Sequence, residues 1–211
     1  MEYEISNNSQ YCSISNWEVP GPPRFERILL DPQTSVILHH ARRMAQVVVR
    51  GRNTVNRYLE PHIAGFAFEE LVFHLFRSIS PKTVWDDTAN HDLRVGEQTY
   101  EMKCRFSGNI PVEVARGRDF EVKVPHYNTQ WQNPNYYVFG YCYIVPDGLW
   151  RFDVLGYRES SFVKRNDHFV ARGGQLDRGG KISTPANSPS FLVGISELHP
   201  PEGLLRQLVN G

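Results

Sequence analysis

Cysteine is scarce in this chain: Cys12, Cys104 and Cys142 are the three among 211 residues. Their spacing matches neither a zinc-ligand pair nor a disulfide framework. An odd, sparse count fits the reduced thiols of a cytoplasmic protein. Net charge is absent as well, because 23 Lys and Arg balance 23 Asp and Glu and the pI is about 7.1. That argues against a broadly basic surface that coats nucleic acid, while leaving room for a local basic cleft offset by acids elsewhere. No apolar run approaches the roughly 20 residues of a membrane helix. The N-terminus has neither a basic start nor an apolar core, so no signal peptide is expected. His74, His91, His126 and His168 do not fall at metal-ligand spacings, which disfavours a zinc site. No internal repeat and no second domain stand out. The composition, 40% hydrophobic and 22% charged, is that of a chain able to bury one full core.

Residues 1–30 are polar and broken by Pro20-Gly21-Pro22-Pro23, so an irregular arm is expected there, with a single domain over 31–211. Asp31-Pro32 reads as an N-cap followed by proline at the first helical position. The helix it opens carries Val36, Leu38, Ala41, Ala45 and Val48 on its apolar side. Across 41–60 the polar side holds Arg42, Arg43, Arg50, Arg52 and Arg57 against the one acid Glu60. Such a face either contacts phosphates or is simply solvated. Further on, Phe120–Val124, with a second Glu-x-Lys at Glu121 and Lys123, predicts a strand with ordinary charges, and 125–131 a short helix, with Gln130 and its aromatic neighbours available to touch bases. Tyr136–Val145 reads as a central strand, Leu149–Leu155 as its alternating partner, Phe191–Ile195 as a last strand and Pro201–Val209 as a closing helix. The glycine-rich piece Gly173–Gly180 lacks the spacing of a phosphate-binding loop.

The most informative stretch runs from Asp92 to Lys103. Gly96-Glu97 is a two-residue turn with glycine first, which predicts a hairpin. Val95 then faces Gln98, Leu93 faces Tyr100, and Asp92 faces Glu101. Alternation places Leu93, Val95, Tyr100, Met102 and Cys104 on one face and Asp92, Arg94, Thr99, Glu101 and Lys103 on the other. Two carboxylates directly opposite stand about 4.5–5.5 Å apart at Cβ and repel. A divalent cation between them reverses the sign, and a hard ion such as Mg²⁺ takes carboxylates together with phosphate oxygens. Lys103 shares that face. Two acids, a metal and a lysine suit phosphodiester hydrolysis.

Upstream, residues 65–79 predict a helix in which Glu69 shares a face with Val72, Phe73 and Phe76. An acid on an apolar stripe is costly unless it is paired or works with a metal. Glu70 lies with His74 and Arg77 on the polar side.

Asp92 followed by Glu101-Met102-Lys103 resembles the motif of the PD-(D/E)XK nuclease superfamily, although His91 stands where the motif has proline. Gly65 and Glu69 at the head of a helix resemble the first motif of Holliday-junction resolvases. The resemblance covers residues 65–106 closely and the rest in outline. It implies an α/β fold of the restriction-endonuclease-like type, a mixed β-sheet flanked by helices. The activity it implies is Mg²⁺-dependent (Mn²⁺ possible) cleavage of DNA. Asp92, Glu101 and the Met102 carbonyl would ligate the metal, Lys103 would stabilise phosphate charge, and Glu69 would assist through water. Arg43, Arg50, Arg94 and Gln130 are the expected nucleic-acid contacts. A non-catalytic nucleic-acid-binding or assembly protein is the alternative, and a homodimer stays open.

Overall fold

The computed structural model describes residues 27–51, 59–88, 90–110, 120–175 and 186–210. Its centre is a six-stranded mixed sheet in the order β1-β7-β6-β4-β3-β2. The strands are β1 (Arg27–Leu30), β2 (Thr83–Thr88), β3 (His91–Val95), β4 (Gln98–Ser107), β6 (Tyr136–Ile144) and β7 (Trp150–Glu159). Neighbours run antiparallel except β4 and β6, which are parallel. A parallel pair needs a crossover. Here the crossover leaves β4, forms β5 (Glu121–Pro125) and the one-turn helix α3 (His126–Thr129), and returns to β6. On its way β5 pairs with β9 (Ser190–Gly194), which pairs with β8 (Phe169–Val170), making a small second sheet.

The two faces of β6 show why the layers divide as they do. Its interior residues are all buried, as expected of a strand covered on both sides. Val138 and Cys142 join Tyr100 and Met102 of β4 under the helical layer, whereas Tyr137, Phe139, Tyr141 and Tyr143 face Val122, Val124 and Val193 of the small sheet. The helical layer consists of α1 (Val36–Gly51), α2 (Leu59–Ile79) and the closing α5 (Pro201–Asn210). The helix α4 (Ser160–Val163) follows β7 on the other side. Gly140 is required where β6 crosses α2: a Cβ there would sit 2.2 Å from the Phe68 ring.

Several expected boundaries move. The strand β1 takes 27–30 out of the expected N-terminal arm, because these residues hydrogen-bond along β7; residues 1–26 lie outside the described set. Asp31 does not cap α1. Its carboxylate accepts the Gln33 N–H at 2.8 Å in a turn, and Ser35 Oγ accepts the Leu38 N–H at 3.2 Å, which is the N-cap bond. The helix α2 begins six residues before 65, with Glu60 and Pro61 in its first turn, where a missing N–H costs little. Asp86 to Thr88, polar residues of the kind that make turns, continue β2.

Candidate functional site

The hairpin folds as its turn demands. Leu93 pairs with Tyr100, Arg94 with Thr99 and Val95 with Gln98, and Gly96 has φ 58°. One step beyond Leu93 the outcome differs from a simple carboxylate pair. Asp92 Oδ2 accepts the Met102 backbone N–H at 2.7 Å, so the Asp92 side chain turns into the ladder. The N–H and C=O of a strand residue leave it on the same side, so the Met102 carbonyl also points toward β3.

Glu101 is 2% exposed. Its Oε1 accepts a hydrogen bond from Lys103 Nζ at 2.5 Å. Burial pushes its carboxyl up to about 7; Lys103 opposes the shift, Asp92 adds to it, and the Gln132 amide opposes it weakly. Its second oxygen, Oε2, is buried and makes no hydrogen bond. Around it stand further polar atoms in the same condition. Tyr137 is the β6 register partner of Glu101. Its hydroxyl, beside Ser160, and Ser160 Oγ are both buried outside any formed hydrogen bond, as is Gln132 Oε1. Each such atom costs about 1–3 kcal/mol, so their gathering on one face of β4 and β6 marks a polar centre in a core otherwise lined by aromatics. Asp153, another buried acid, is by contrast paired to Arg151 at 3.1 Å.

Gln132 and Tyr137 were not legible as site residues. Gln132 reaches Glu101 because the end of the crossover is tied to the start of β4. Asn135 Oδ1 accepts the Thr99 N–H at 2.8 Å, and the Asn135 N–H donates to the Thr99 carbonyl at 3.0 Å. Lys164 braces the same turn by donating to the Gln132 carbonyl at 3.0 Å and to Asn133 Oδ1 at 3.2 Å. Gln130, two residues earlier and the expected contact, is exposed. No signal in the sequence distinguished the two glutamines, since their difference is the tie to Thr99.

The remaining expected residues are distributed as follows. The helix α2 covers the face of β4 that carries Tyr100, Met102 and Cys104, opposite the face of Glu101 and Lys103. Glu69 is half-buried in that helical layer, and its charge helps burial to raise the Cys104 thiol. Its neighbour Glu70 is held below the usual carboxylate range, against the effect of its burial, by His74 and by His40, whose Nδ1 is 2.8 Å away. Arg43 is exposed on α1, in the helical layer. The Arg50 side chain, Arg52, Arg57 and most of the glycine-rich piece lie outside the described residues. Arg94 is exposed on the hairpin, with Nε 3.7 Å from Asp86. Lys123, of the second Glu-x-Lys, is in the small sheet opposite Leu192. Among the described residues no group of three or more His, Cys, Asp and Glu is arranged to hold a metal. None of the described helices is long and apolar enough to cross a membrane. Comparisons with family models, curated proteins and solved structures gave no match.

Proposed function

We propose that the chain is a Mg²⁺-dependent deoxyribonuclease with the restriction-endonuclease-like arrangement. The observation that carries the reading is Glu101: a buried carboxylate, ion-paired to Lys103, with one oxygen left over and the Asp92 charge close enough to act on it. Hard oxygen donors of this kind fit Mg²⁺ or Mn²⁺. The element order supports the same reading: a helix, a short strand, the Asp92 strand, the Glu101–Lys103 strand, and a crossover to a parallel strand.

Asp92, Glu101 and the Met102 carbonyl would hold the ion, which supplies an acidified water and a Lewis acid at the phosphate. Lys103 stands on the same face as Glu101 and is 16% exposed. Its ammonium is placed to leave Glu101 for a phosphate oxygen and to stabilise the charge that builds there in the transition state. Gln132 stands near the Glu101 carboxyl on the crossover side and weakly favours its ionised form. Glu69, across the sheet, is left out of this set.

A second reading has its own support. Lys103 already satisfies one Glu101 oxygen, and Asp92 already serves Met102, as expected of a binding or assembly protein whose charges are structural. Cleavage of supercoiled plasmid, linear duplex and a four-way junction, each with Mg²⁺ or EDTA, separates the two. Mg²⁺-dependent cutting is expected, falling about a hundredfold or more in Lys103→Met and staying parental in Lys123→Met. A folded parent that cuts none of the three substrates, or a Lys103→Met protein that cuts at the parental rate, refutes the nuclease.

A further inference from the structure

The turn that delivers Gln132 to Glu101 also carries the most exposed indole among the described residues. Trp131 is 72% exposed and Tyr127, four residues earlier, is 59% exposed. The backbone between them is helical: the Trp131 N–H donates to the Asn128 carbonyl at 3.1 Å, and the Gln132 N–H to the same carbonyl at 2.8 Å. Residues four apart on a helical turn share a side. The two rings therefore lie about one turn apart, both open to solvent, while Gln132, the next residue, lies close enough to act on Glu101. Lys164 and Asn135 hold the turn in place. Burying large rings is the ordinary outcome for a chain with so many of them. These two are instead presented on a braced support one residue from the polar centre, with the Lys103 and Lys164 ammonium groups beside it.

Resting on the nuclease reading, we propose that Trp131 and Tyr127 form a stacking platform for an unpaired base, so that the substrate is nucleic acid with a single-stranded or extruded nucleotide next to the cleaved phosphate. An indole face stacks on any base whose own face is open, and a base inside a duplex offers none. Lys103 takes a backbone phosphate of the same strand.

Binding without cutting tests this. The full chain in EDTA is titrated with fluorescein-labelled oligothymidine and with a duplex of equal length, and anisotropy is read. The single strand is expected to bind more tightly. Trp131→Ala should weaken it by about tenfold, the scale of one lost stacking contact, with Trp131→Phe weakening it less and duplex affinity unchanged in both. Tryptophan emission should be quenched by oligothymidine in the parent and not in Trp131→Phe. A preference for duplex, parental single-strand affinity in Trp131→Ala, or loss of self-association as that variant's sole effect overturns the platform. If Trp131-dependent binding holds but no substrate is cut with Mg²⁺, the nuclease falls and the platform stands. If duplex and junction are cut equally and Trp131→Ala is neutral, the reverse is true.

Discussion

Glu101 concentrates the unusual chemistry of this chain in one side chain. Its carboxyl is raised by burial above its ordinary value of 4.5, so the folded state holds the proton more tightly than the unfolded chain. The stability this contributes is present in full below about pH 4.5 and is lost as pH rises through about 7. Across that window the slope reaches at most about 1.4 kcal/mol per pH unit for one group. Glu101→Gln removes the titration and keeps the shape. Urea unfolding of parent and variant from pH 4 to 8 should therefore show a stability difference that moves in favour of the variant as pH rises and levels off above about 7. A difference that stays constant with pH would mean that Glu101 titrates normally.

Among the elements, β6 and α2 meet at one especially close point. Phe68 fills the space a side chain at position 140 would need. Gly140→Ala is expected to cost about 1–3 kcal/mol by overpacking. Combining it with Phe68→Leu should cost less than the two single changes added together, since the smaller side chain makes room for the new methyl. Denaturant midpoints of the four proteins in that cycle check the contact; strict additivity would mean the strand and helix are not pressed together at this point. Capping shows a similar local selection. Asp31 is taken up by the turn at 31–34, which leaves the capping bond to Ser35.

At the scale of the whole molecule, metal binding and folding are linked, because an ion that binds only the folded chain raises its stability by about 2.7 kcal/mol at a hundred times Kd. Mn²⁺ should raise the thermal midpoint of the parent. Asp92 serves the fold as well as the ion, since its carboxylate holds the Met102 N–H. Asp92→Asn keeps an acceptor and should fold like the parent yet lose the Mn²⁺ shift. Asp92→Ala should in addition lose about 1–3 kcal/mol by leaving that N–H unpaired. An unchanged Mn²⁺ shift in Asp92→Asn would remove Asp92 from the ion's ligands.

The hairpin needed only the sequence. Gly96-Glu97 and the alternation around it determine the register of Leu93 with Tyr100, because a two-residue turn and a period of two leave no other choice. The apolar run of β6 was readable because a strand covered on both faces is apolar throughout. Only the tertiary structure decided what lies across from those faces. It put Glu69 against Cys104 and away from Glu101, since α2 covers the side of β4 that carries Met102. It brought Gln132 and Tyr137 to Glu101 through the parallel β4–β6 pairing and the tie between Thr99 and Asn135. Those contacts span some 30 residues of chain, and no periodicity within one element encodes a partner at that distance.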